Sequence, residues 1–320
     1  MADEKRETWN NDFEFWLVYL GAVVGYGCIW RFPYLMYDNG GITFLIPFFT
    51  ILILVGITQT YIQAAIGQYF REPITQIYSR VSRKWAGVAI MNCMIIFVFS
   101  IYYILLLAYC LMYLCLSFMN PWPWASDYPD ANSKPLTQTS ALSRTVDFYT
   151  KYIIGQRDDV PVGALGGFHW PLLAAFIASW ILVYVCLKNG IKTTGRIAYV
   201  TALGPYVLLV ILAVRVVFLD GWSSGVLHLF KPDFSKLFTG KVWYAAAGQI
   251  FFQIGTGIGV NQTLASFRKV DAPLVKFASW GPMINGLTGI FTSCIVFGYV
   301  GYYSKLEGIP IDDYPLEGPA

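Results

Sequence analysis

The chain has 320 residues, of which 56% are hydrophobic and only 13% charged, with a formal net charge of +3. Soluble domains carry about 25% charged residues, so a water-soluble globule is excluded as the main architecture. The small positive charge, with no basic cluster interleaved with aromatics in a polar stretch, gives no nucleic-acid surface.

Residues 1–13 are polar and mixed in charge and read as a cytoplasmic N-terminal segment, since a cleavable signal needs a basic start followed by a short apolar core. A bilayer core of about 30 Å needs about 20 mostly apolar helical residues. Seven stretches qualify or nearly so, at approximately 14–37, 41–70, 86–119, 169–187, 196–219, 242–267 and 274–303. Between the third and fourth lies a long polar loop, 120–168, read as extracellular. The expected fold is an all-α polytopic membrane protein, with the transmembrane domain over 14–320.

Charge bias orients it. The loops 71–84, 188–196 and 268–276 hold ten basic residues, among them Arg71, Lys188 and Arg268, against two acids. The alternate loops are acidic on balance. Basic loops stay on the cytoplasmic side, so the N-terminus is expected inside. A seven-helix receptor has the opposite orientation, which places that reading below a transporter. Glu14 and Arg215, near span ends, are free to snorkel and receive no role.

All six cysteines sit in apolar runs and show no zinc spacing. The two histidines, His169 and His228, lie near outer helix ends without a nucleophile or phosphate loop, so no enzyme is expected; His169 reads as an interfacial residue. Two glycine clusters are more informative. The first span contains Gly25-Tyr26-Gly27 and the sixth Gly255-Thr256-Gly257-Ile258-Gly259. Glycine costs a helix about 1 kcal/mol against alanine. Clusters at mid-span therefore predict helices that unwind halfway. Unwound backbone cannot face lipid and must line a polar cavity, where free carbonyls hold small cations and helix N-termini hold anions.

The run from Gly25 to Tyr34, GYGCIWRFPY, strongly resembles the first-helix signature of the neurotransmitter:sodium symporter family, which has the leucine-transporter fold. So do Asn39-Gly40-Gly41, Gly67-Gln68-Tyr69, the 188–196 stretch KNGIKTTGR and the 246–252 stretch AAGQIFF. The matches run in order across nearly the whole chain. The resemblance implies a first five-helix repeat followed by two helices of an inverted second repeat. Broken first and sixth helices help define that fold, so they are not independent support for it.

By position, the resemblance implies substrate contacts at Gly25, Gly27, Phe99, Tyr103, Phe252, Gly255 and Ile258. Gly25 stands where amine carriers have an aspartate, which points to an amino acid or related small carboxylate. Tyr103 matches a tyrosine that reaches the substrate carboxylate; Phe99, Phe252 and Ile258 match apolar pocket positions. For each of these four, plain packing is the other reading. Sodium positions fall at Gly21 and Val24 for one ion, and at Val23, Cys28, Gln253 and Asn285 for another. The second set is eroded, because Cys28 replaces an asparagine and a thiol is a poor ligand for a hard cation. The chloride-like positions Gln249 and Asn285 remain, but Phe48, Gln253 and Gly289 replace three hydroxyl donors, so chloride is not expected. Arg31 matches the outer gate, and Arg6 and Trp9 the inner one, where Phe267 replaces a tyrosine.

The chain ends in Glu317-Gly318-Pro319-Ala320, a stretch that in the family precedes an eighth helix. The expectation is an incomplete sodium-coupled symporter, multi-pass in the plasma membrane, with a small-molecule substrate, the lipid bilayer and a homo- or hetero-oligomer as partners. The alternative is a truncated, non-transporting member acting as a regulatory subunit of a full-length carrier.

Overall fold

The computed structural model describes residues 7–124, 145–156 and 167–313. The described residues are helical, in order α1 (Asp12–Val23), α2 (Gly27–Asp38), α3 (Gly41–Phe70), α4 (Ile74–Val81), α5 (Ala86–Leu116), α6 (Phe148–Ile154), α7 (Trp170–Leu187), α8 (Ile191–Val217), α9 (Trp222–Leu229), α10 (Phe234–Leu237), α11 (Gly240–Ile254), α12 (Val260–Ala265) and α13 (Leu274–Glu307). Five helices are long and apolar enough to cross a membrane singly: 41–70, 83–116, 170–187, 193–217 and 274–307. The first predicted span is broken at its glycines, as expected, into a pair, α1 and α2, bent by 54°. The predicted span 242–267 is likewise split, into α11 with 15 residues and α12 with 6, neither long enough alone.

The chain divides into two compact units. The larger holds residues 1–93 and 189–320. In it α1 packs on α8, α12 on α3, and α13 on α2, α3 and α9. One core lies around Phe15, Tyr19 and Phe277, and another around Phe32, Phe44, Phe48 and Ile250. Close packing depends on missing side chains. Gly225 of α9 meets α13 so tightly that a Cβ there would fall 2.7 Å from the Gly301 amide nitrogen, the small-residue contact that lets membrane helices approach.

The second unit, residues 94–188, has a small core of Met112, Phe148 and Ile153. The predicted loop 120–168 contains a wide helical turn, α6, whose Phe148 is buried. His169 caps α7: its Nδ1 accepts from Leu172 N at 3.3 Å, satisfying a donor that the first helical turn leaves open.

Two local features shape the larger unit. Asn11 caps α1 by accepting from Glu14 N at 2.7 Å. Glu14 does not snorkel: it is 5% exposed and accepts from Asn10 N at 3.3 Å and from Asn10 Nδ2 at 2.9 and 3.1 Å. Gly195 of α8 makes room for its carboxylate, since an added Cβ would lie 3.0 Å from Oε2.

Candidate substrate and ion site

The first break follows from its sequence. After α1, Val24 leaves helical geometry, at φ −91 and ψ 88. Gly25 O then accepts from Cys28 N at 3.0 Å and Ile29 N at 3.2 Å, which starts a new helix in a new direction. Its first turn, Gly27–Arg31, is wide, with Phe32 N bonding back five residues to Gly27 O. Pro33, which has no N–H to give, sits at the next position.

The second break is built by three left-handed glycines, Gly255 (φ +64), Gly257 (φ +82) and Gly259 (φ +82). Gly255 terminates α11, with Thr256 N on Phe251 O at 3.1 Å, the bond pattern of a glycine helix stop. Asn261 spans the gap. Its Nδ2 donates to Ile254 O, the last carbonyl of α11, and to Gln63 Oε1, each at 3.1 Å.

The breaks meet. Gln249 of α11 is fully buried, and its Nε2 donates to Gly27 O at 2.9 Å. Gln253 Nε2 reaches Cys28 Sγ at 3.3 Å, and that thiol is paired with Asn285 Oδ1 of α13. Cys28 Sγ also lies 3.7 Å from Val23 O. So Val23, Cys28, Gln253 and Asn285, grouped from sequence as sodium positions, do converge. They converge as a buried polar cluster in which the Cys28 thiol lies between the Gln253 amide and the Asn285 side-chain oxygen. Phe252 lies over Gly27, where an added Cβ would be 2.9 Å from its ring, and Arg31 sits 5.3 Å from the centroid of the same ring. Ile258 folds back on Gly255, 3.4 Å from a Cβ built there. Gly21 faces Ala202 of α8, and Val24 is buried in the same core.

The chloride-like positions divide. Gln249 is present, but Phe48 stacks edge-on against Phe32 at 5.0 Å. Gly289 and Gly286 make room for these rings: an added Cβ would come within 2.8 Å of Phe32 and 3.0 Å of Phe48. Phe99 and Tyr103 belong to the other unit, where their rings stack at 4.9 Å.

Trp9 holds the start of the chain without a tyrosine partner. Its N donates to Phe267 O and its Nε1 to Leu264 O, both at 3.1 Å, and its ring meets Phe267 edge-on at 6.0 Å. Arg6 lies outside the described residues. Sequence reasoning assigned nothing to Arg268, Asn261 or Gln63. Arg268 counted only toward charge bias, Gln63 falls in no motif, and Asn261 opens an Asn-Gln-Thr triplet that, inside a span, is out of reach of glycosylation. A cavity of about 510 Å³ lies away from the breaks, lined by Tyr37, Asp38, His228, Lys231, Lys236 and Asp312 among others.

Comparison with known proteins accounts for this architecture. The family model described as "Sodium:neurotransmitter symporter family" matches residues 6–320. The chain is 32% identical over 327 residues to the sodium- and chloride-dependent GABA transporter 2 of Mus musculus, covering 98% of this chain and 54% of that protein. It is 32% identical over 339 residues to the sodium- and chloride-dependent creatine transporter 1 of Homo sapiens, covering 100% and 53%. It is 33% identical over 326 residues to the sodium-dependent serotonin transporter of Drosophila melanogaster, covering 100% and 52%. The chain thus spans about half the length of the curated relatives it matches, and these relatives are transporters, not enzymes. Its broken helices and the family match across its length agree: the chain belongs to the sodium:neurotransmitter symporter family.

Proposed function

We propose that this chain forms the solute- and sodium-binding part of a sodium-coupled secondary transporter for an amino acid or related small carboxylate, in the plasma membrane with its N-terminus in the cytoplasm. The observation that carries the reading is the meeting of the two broken helices, joined by the Gln249 amide on Gly27 O at 2.9 Å, with glycine and no acid at position 25. Carbonyls released at the breaks are hard-oxygen donors suited to sodium, and the amide end of α2 favours a carboxylate. GABA and creatine, named for two relatives, both bear a carboxylate; serotonin, named for the third, does not. Positions 48, 253 and 289 offer no hydroxyl, so the reading carries no chloride site there, although two of the relatives' names include chloride.

The test is binding and uptake of radiolabelled GABA, creatine, leucine and serotonin by membranes bearing the protein, in sodium chloride, sodium gluconate and choline chloride. Binding of a carboxylate in both sodium media and none in choline is expected. Equal binding in choline chloride removes sodium coupling. Loss in gluconate restores chloride. Preference for serotonin overturns the argument from Gly25.

A further inference from the structure

Arg268 follows α12, outside the spans, yet it is only 2% exposed. Its guanidinium carbon sits 4.4 Å from the Phe15 ring centroid and 5.7 Å from that of Phe277. Nη1 donates to Gln68 Oε1 at 3.4 Å; Nη2 donates to Asp12 Oδ1 at 3.4 Å and to Pro273 O at 3.5 Å. Its Nε has no partner among the described residues. Gln68 is itself fixed, its Nε2 donating to Lys269 O, Val270 O and Ala272 O at 2.8 to 3.0 Å. One cation therefore joins the start of α1, the end of α3, the 268–273 loop and the start of α13.

The magnitudes decide what this cluster does. Bonds of 3.4 to 3.5 Å are at the long limit, so no single one holds the group. Burial lowers the pKa of Arg268 and Asp12 raises it, but an arginine stays charged in a protein. A buried guanidinium costs several kcal/mol in lost hydration, which a weak ion pair and two aromatic faces only partly offset. Water is close, because the Asp12 side chain is 57% exposed. Arg268 thus has two good environments a short distance apart, the aromatic slot and the aqueous edge.

We propose that Arg268 is the positioning residue for closure on the α1 side of the site: in its slot it pins the start of α1 to the corner between α12 and α13, and opening that side requires the guanidinium to leave for water. Trp9 acts with it, holding the preceding residues to Leu264 and Phe267. The inference rests on the carrier reading, in which the site opens alternately to each side.

The test uses the chain with Cys28 as its sole cysteine, the other five replaced by alanine, in inside-out vesicles treated with a membrane-impermeant methanethiosulfonate. Cys28 is fully buried in this closed arrangement. Arg268→Met keeps much of the packing and removes the charge. It is expected to speed Cys28 modification about tenfold, and Arg268→Lys less. Hydrogen exchange supplies a second readout, usable in the native-cysteine background: the α1 amides of 12–18 exchange faster in Arg268→Met while those of α7 do not. Wild-type labelling and exchange in Arg268→Met overturn the proposal. So does faster exchange in α1 and α7 alike, which marks a purely structural role. Sodium is varied in the wild type as a separate arm; loss of any sodium effect there, with the Arg268 response intact, counts against the carrier reading alone.

Discussion

Replacing Gln249 with leucine separates the join between the broken helices from the stability of the fold. The side chain is fully buried, donates once, to Gly27 O at 2.9 Å, and its Oε1 has no partner among the described residues. Leucine removes the donor, but Gly27 O keeps its bond from Phe32 N. The loss is therefore a second bond to one acceptor, about 0.6 kcal/mol by the average for buried bonds between membrane helices. Against this, leucine removes a buried amide oxygen that is unpaired here, which costs about 1 to 3 kcal/mol to keep from water. The second term is the larger, by about 0.4 to 2.4 kcal/mol, so Gln249→Leu should fold at least as stably as wild type.

Gln249→Glu should behave differently. It turns a donor into an acceptor facing a carbonyl and adds a charge to a dry site, and should cost several kcal/mol or be avoided by protonation. Thermal unfolding of the detergent-solubilised protein, paired with ligand binding in sodium, separates the outcomes. Gln249→Leu should unfold at or above the wild-type temperature and bind more weakly, because the two breaks are no longer held in register. A Gln249→Leu variant that unfolds far below wild type, or binds as tightly, would refute the assignment of Gln249 to the join.

Three further outcomes are expected. Gly225→Ala places a Cβ against the Phe297 carbonyl and 2.7 Å from Gly301 N; both are backbone, so α9 and α13 must separate at a cost of about 1 to 3 kcal/mol, read as a lower unfolding temperature. Cys28→Asn replaces the thiol on Asn285 with an amide that also offers an oxygen. Sodium should half-saturate binding at a concentration lower by on the order of fivefold, the effect of roughly 1 kcal/mol; an unchanged sodium curve would show that position 28 is not a ligand. Gly289→Ser alone should not confer chloride stimulation, because its Cβ would lie 2.8 Å from the Phe32 ring, and a gain in gluconate-to-chloride comparisons would contradict that.

The breaks were legible because clustered glycines inside an apolar run weaken a continuous helix at one point and free the backbone there to turn. Gly255, Gly257 and Gly259 all adopt the left-handed backbone that such a cluster permits. The bend at Gly25–Gly27 was legible on the same grounds, and Pro33 just beyond it adds a missing donor. In the span 242–267 the same glycines divide an apolar run into pieces of 15 and 6 residues, a break that hydropathy alone does not show. Burial of individual charges was illegible. Glu14 looked free to snorkel because nothing in its own sequence shows that Gly195, far along the chain, leaves space for a carboxylate. Arg268 was hidden in the same way. Its slot is made by Phe15 and Phe277 on helices distant in sequence or turned back on it, and a basic residue after an apolar run is first read as orientation.

The departures from the family pattern around α2 and α13 are best understood as a set. Phe48 in place of a hydroxyl needs room, and Gly286 leaves it. Gly289, in place of another hydroxyl, leaves room for Phe32. The result is a packed aromatic cluster of Phe32, Phe44 and Phe48 where the resemblance implied polar donors. Cys28 and Gln253 show the same logic in polar form: the thiol lies on the Asn285 side-chain oxygen, and the Gln253 amide donates to the sulfur. In both places a departure from the residues the resemblance implies is matched by a neighbour that fills the volume or pairs the polar atom. A serine at position 289 therefore meets a ring, whereas an asparagine at position 28 meets a polar partner, so a single reversion has room to act at the second place and not at the first.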